Sequence, residues 1–125
     1  MSKNNMSEFH AIIVDKSLIN QEILKDLKVL SKTVDGDWIL YKISVNEDDL
    51  ESSILNIQSQ MNEGAWYFHF YDFEGSRMIV VFKNKIFEVN NDPKTWPEVL
   101  KYGTELGIPS EQLDFIPNRF ADENY

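Results

Sequence analysis

The chain has 125 residues, 21 acidic against 12 basic, a formal charge of −9 and no cysteine. Disulfides, thiolate metal sites and cysteine nucleophiles are thereby excluded, and the negative balance disfavours nucleic acid and anionic membranes, whose binding draws on clustered Lys and Arg. With 42% hydrophobic residues, among them 8 Phe, 5 Tyr and 3 Trp, the chain carries enough apolar surface to offset the ordering entropy of a folded domain.

No internal repeat or composition break divides the chain. A single domain is expected over residues 8–117, between a polar N-terminal stretch, 1–7, and a charged tail, 118–125. No apolar run approaches the roughly 20 residues of a membrane-spanning helix, and residues 1–7 lack the apolar core of a signal peptide, so the expected location is the cytoplasm.

Phe9 to Val14 is a short β-branched apolar run that reads as a buried central strand. After Asp15 and Ser17, either of which can cap, Leu18, Ile23, Leu24 and Leu27 are spaced for a first helix ending near Asp26. Asp35-Gly36 is a tight-turn signal that predicts a hairpin of residues 28–34 and 37–45. From Glu47 to Met61, Leu50, Ile54, Ile57 and Met61 share one face behind an acidic first turn, predicting a second helix stopped by Gly64.

Three strands are expected next, at 65–73, 77–83 and 85–90, the first two joined through Glu74-Gly75. Thr95-Trp96-Pro97-Glu98 has the form of a capping box opening a third helix, with Val99, Leu100 and Leu106, that Gly107 and Pro109 punctuate. A further short turn is expected from Ser110 to Phe115. This order predicts an α+β domain: a ferredoxin-like βαββαβ two-layer sandwich, helices on one sheet face, extended by a C-terminal β-hairpin and helix.

The stretches FHAIIVD, DWILYKISV, WYFHFYD, MIVVFKNKIFEV and TWPEVLKYGTELGIPSEQLDF resemble a family of short prokaryotic proteins that has no assigned biochemical role. The resemblance covers Phe9 to Phe115. It implies the same one-domain α+β arrangement and supplies no catalytic motif.

In the strand at 65–73, alternation puts Trp66, Phe68 and Phe70 on one face and Tyr67, His69 and Tyr71 on the other. If the first set packs under the helices, the second stands on an open face that Lys42, Trp38 and Leu40 join from the third strand, with Ile39, Tyr41, Ile43 and Val45 turned to the core. Such an amphipathic aromatic patch suits a binding surface. The plainer reading is a cover supplied by Leu113, Phe115, Ile116 and Phe120 or by a second copy of the chain.

His10 and His69 fall on strands expected to be antiparallel neighbours, which brings them toward one face with Tyr71, Lys42 or Asp72 as proton partners. Two strand histidines are more often structural, and no spacing announces a third metal ligand. Glu47-Asp48-Asp49-Glu51 lacks the ligand pattern of a calcium loop and reads as a solvated helix start. Phosphate-loop, nucleophile-elbow and zincin motifs are absent, and no cofactor is expected.

The residues thus favour a non-enzymatic binding or interaction module, with Tyr67, His69, Tyr71, Lys42 and His10 as candidate contacts. Its partner would be a second copy in a homodimer, another protein or a small ligand. The alternatives are a small acid/base enzyme built around His10 and His69, and an accessory subunit of a larger assembly.

Overall fold

The computed structural model describes residues 8–72, 76–90 and 92–109. Among them six strands form one antiparallel sheet: β1 (Glu8–Val14), β2 (Lys28–Asp35), β3 (Trp38–Asn46), β4 (Tyr67–Asp72), β5 (Arg77–Phe82) and β6 (Lys85–Asn90). Their order across the sheet is β2-β3-β1-β4-β5-β6. Two helices, α1 (Leu50–Ser59) and α2 (Pro97–Glu105), complete an α+β fold. The stretch 1–7, the Glu74-Gly75 turn, the expected turn at 110–115 and the tail with Phe115, Ile116 and Phe120 lie outside the described residues.

The β2–β3 hairpin forms where the turn signal placed it. Asp35 pairs with Trp38, leaving Gly36 and Asp37 as the loop. Gly36 has φ of 60° while, among the described residues, no non-glycine has positive φ, so only the first loop position is left-handed, as in a type II′ turn.

The acidic stretch Glu47–Asp49 is a single 3₁₀ turn leading into α1. Leu50, Ile54 and Ile57 of α1, with Met61 beyond it, are buried against Phe9, Ala11 and Ile13 of β1, Ile43 and Val45 of β3, Phe68 and Phe70 of β4, and Ile79 and Val81 of β5. Each of the larger aliphatic side chains contributes about 1.5–3 kcal/mol by leaving water.

Where a first helix was expected, the chain makes two 3₁₀ turns, Asp15–Ser17 and Glu22–Asp26. The cause is long-range pairing. Leu18 bridges Met61, the Ile19 N–H donates to the Gln60 carbonyl at 2.7 Å, and the Asn62 N–H donates to the Ser17 carbonyl at 2.8 Å. Main-chain groups that a helix would satisfy internally are engaged with the end of α1 instead. The apolar residues still pack: Leu18 is buried, and Ile23, Leu24 and Leu27 cover the same core.

The helices do not share one face. Val99 of α2 and Ile108 pack on Met78, Val80, Phe82 and Val89, the reverse side of β5 and β6, and the Tyr102 ring lies 4.7 Å from Phe82 and 5.6 Å from Phe87. Alternation along β5 explains the correction. Its residues from Met78 to Phe82 are all buried, so both of its sides need a cover, and α1 reaches only one.

The expected capping box is not made. Thr95 Oγ1 accepts from the Asn90 N–H at 3.2 Å and donates to the Asp92 carbonyl at 2.7 Å, fastening the turn that leaves β6. Trp96 occupies the cap position of α2 without a side-chain capping bond, its indole N–H donating instead to the Asn90 carbonyl at 2.7 Å, and Pro97 takes the first helical position, where its missing N–H costs nothing.

Candidate functional site

β1 and β4 are paired only through Phe9 with Asp72, His10 with Tyr71 and Ala11 with Phe70. Past Ala11, β1 continues with β3 alone to the pair Val14–Leu40, while Tyr67 to His69 of β4 pair with β5 alone. The sheet therefore splits into a wedge. The cavity it opens measures about 620 Å³, and Ile12, Val14, Trp38, Trp66, Tyr67 and His69 line it together with Asp35 and Pro109. Small-molecule sites commonly enclose ~300–1,000 Å³ and are lined by aromatic and aliphatic groups with a few polar ones.

The wedge is held by the contacts that displaced the first helix. The segment leaving β1 and the segment entering β4 are joined by the Leu18–Met61 bridge and by Asn62, whose side-chain Nδ2 donates to the carbonyls of Lys16 and Leu18 at 3.0 Å each. Trp38 and Trp66 meet at a ring-centroid distance of 5.6 Å and an interplanar angle of 57°. β3 and β4 are not neighbours in the sheet. Val14, the end of β1, pairs with Leu40, so Trp38 extends beyond β1 and reaches the residue that precedes β4.

The five residues singled out from the sequence all belong to the sheet face opposite α1. On it His10, Tyr71, His69 and Tyr67 form a row: the Tyr71 ring is 6.2 Å from His10 and 5.8 Å from His69, and Tyr67 and His69 stack at 6.3 Å. The face is not open as expected. Tyr71 is fully buried and His10 is 6% exposed, while Tyr67, whose ring lies 5.7 Å from Phe82, packs with the α2 cluster. Lys42 is half-buried opposite Ile12 and Ser31. Of the five, Tyr67 and His69 reach the cavity.

Glu8, passed over in the sequence, joins this face. Its carboxylate accepts a hydrogen bond from Ser44 Oγ, and Oε2 stands 3.2 Å from His10 Nε2. The Ser44 hydroxyl, with help from His10 and the charge of Lys28, holds the Glu8 carboxyl below the usual glutamate value against a smaller effect of burial. Period two could have found it, since Glu8 and His10 must point the same way along a strand. The serine proton is bound by the carboxylate and not by the imidazole, which is not the order of a serine–histidine–acid relay.

Asp72 is not placed to serve the histidines. It pairs with Phe9 on the α1 face, and its carboxylate accepts from the Ser76 N–H at 2.8 Å, Ser76 Oγ at 2.6 Å and the Arg77 N–H at 3.3 Å, closing the connection into β5. A second recess, about 550 Å³ between the Glu22–Asp26 turn and α1, is lined by solvated groups such as Asn20, Lys25, Asp26 and Asn56, without an aromatic ring. Among the described residues no group of three or more His, Asp and Glu is placed to hold a metal ion, and no helix is long and apolar enough to cross a membrane.

Comparison with known proteins found no family, no curated protein and no solved structure that matches this chain.

Proposed function

We propose that the chain is a binding module rather than an enzyme, and that its site is the wedge between β1 and β4. One observation carries this reading: a sheet that stops pairing after Ala11 and Phe70 leaves a cavity lined by aromatic side chains from two separate segments, Trp38 at the start of β3 and the stretch of Trp66, Tyr67 and His69. Aromatic rings bring large contact area at low entropy cost. The acid/base reading draws less support, because Glu8 engages both His10 and Ser44 and Asp72 faces the other side of the sheet.

The arrangement is read as a variant of the split βαβ unit in which 3₁₀ turns stand in for the first helix and β5, β6 and α2 extend the sheet. An acidic, cysteine-free chain of this kind suits a cytoplasmic module. A second copy, another protein or a small ligand could each use the site.

The test is a fragment screen on the full chain, read at the indole N–H resonances of Trp38 and Trp66, with sedimentation of wild type and Tyr67→Ala alongside. Binders that move both indoles, or self-association that Tyr67→Ala weakens, support the reading. A chemically diverse set that moves neither indole, on a chain whose sedimentation the substitution leaves unchanged, overturns it.

A further inference from the structure

We infer that the wedge receives a cationic side chain, arginine or lysine, presented by a basic polypeptide. The inference rests on the binding reading above and adds the chemistry of the occupant. Three features converge on it.

The first is the aromatic corner. Trp38 and Trp66 meet at 57°, so a group entering the cavity can lie over the face of either ring. A cation within ~6 Å of an indole centroid is attracted by the ring's negative face, and tryptophan is the strongest of the aromatic partners. Within this molecule cations already take such positions: Lys32 Nζ lies 5.8 Å from the Tyr41 centroid and Lys85 Nζ 5.6 Å from that of Phe87.

The second is the rest of the lining. Ile12 and Val14 supply an aliphatic wall suited to the methylene stem of Arg or Lys, and Asp35 supplies a carboxylate. Asp35 is exposed at the hairpin that presents Trp38, so its charge stands beside the corner. Of the cations already on this face, Lys28 is opposite Ser44 and acts on Glu8, and Lys42 is opposite Ile12 and Ser31 and has an interaction of its own.

The third is charge over the whole chain. At −9 the protein repels a second copy of itself and attracts a basic partner before contact, which raises the rate of encounter and makes it salt-dependent. A nucleic acid or an anionic lipid headgroup would meet a repulsive field of its own sign. Complementarity therefore selects a basic polypeptide over the other occupants.

The experiment titrates the full chain with a hexa-arginine peptide, following the Trp38 and Trp66 indole N–H resonances, with hexa-glutamate, tetramethylammonium and free indole as comparison probes. Hexa-arginine is expected to move both indoles with an affinity that falls as salt rises. Trp38→Ala should weaken it about tenfold, Trp38→Phe should restore most of the loss, and Asp35→Asn should weaken it several-fold. Asp35 is exposed, so that variant keeps the test alive if Trp38→Ala does not fold.

Binding of hexa-arginine that neither Trp38→Ala nor Asp35→Asn changes would place the contact elsewhere on the acidic surface and overturn the inference. Tetramethylammonium binding as tightly as the peptide would overturn the polypeptide as its source. Indole moving the two resonances while hexa-arginine does not would sink the cation and leave the binding module standing. No response to any probe overturns the inference, while the binding module stands or falls by the fragment screen and sedimentation above.

Discussion

Trp38, at the start of β3, and Trp66, just before β4, touch beyond the end of the strand that separates β3 from β4: β1 lies between the two but stops at Val14, and the rings close to a centroid distance of 5.6 Å. The contact couples the hairpin to the entrance of β4 without a shared hydrogen-bond ladder. It fixes where the wedge ends.

Aromatic pairs of this geometry contribute about 0.5–1.5 kcal/mol beyond the area they bury. A double-mutant cycle of Trp38→Ala and Trp66→Ala, measured by urea unfolding, is expected to return a coupling energy in that range. A coupling near zero would mean that the rings do not rest on each other in solution.

Asn62 carries the corresponding load on the chain segments themselves. Its amide bonds both the Lys16 and Leu18 carbonyls, so Asn62→Ala removes two hydrogen bonds at one step and is expected to cost about 1–3 kcal/mol. Amide exchange locates the damage. The Ile19 N–H, bonded to Gln60, should exchange faster in the variant while the β4–β5 amides keep their protection, and equal loss at both would point to global destabilisation instead.

Local signals served the sequence reading well where short-range geometry decides the outcome. Gly36 marked its hairpin, the Leu50–Ile54–Ile57–Met61 stripe marked α1, and alternation set Phe68 and Phe70 against Tyr67, His69 and Tyr71 on the correct opposite sides. It went astray where distant segments compete for the same groups. Leu18 had helical spacing with Ile23, Leu24 and Leu27 but bridges Met61, with the next N–H, that of Ile19, donating to Gln60, and Thr95 had a capping hydroxyl that Asn90 and Asp92 claim. The side on which α2 lands depends on β5 needing cover on both faces, and the Trp38–Trp66 contact depends on where β1 ends. Neither is written in any one window of sequence.

At Gly36 the left-handed φ of 60° has no steric neighbour within 4 Å, so a substitution there meets strain in its own backbone and nothing else. Gly36→Ala is expected to destabilise by about 1 kcal/mol, and Gly36→Asn by less, because Asn tolerates this region better. Thermal or urea midpoints check the order. An alanine variant as stable as the parent would show that the turn relaxes to another type.

Glu8 gives the acid limb of stability a defined contributor. Its carboxyl is lowered in the folded chain, first by the Ser44 hydroxyl and then by His10, so the ionised form is favoured more in the native than in the unfolded state. Stability from this group is complete above the ordinary glutamate value, about 4.3, and is lost as pH falls through the lower folded value, where the native carboxylate too takes up its proton. Ser44→Ala removes the leading cause, and Glu8→Gln removes the titration altogether. Urea midpoints followed from about pH 6 to about pH 3 should therefore fall less steeply in both variants than in wild type, the Gln variant most shallowly. Parallel acid limbs in all three proteins would show that the Glu8–Ser44 bond is not formed in solution, and would remove the carboxylate from the chemistry of this face.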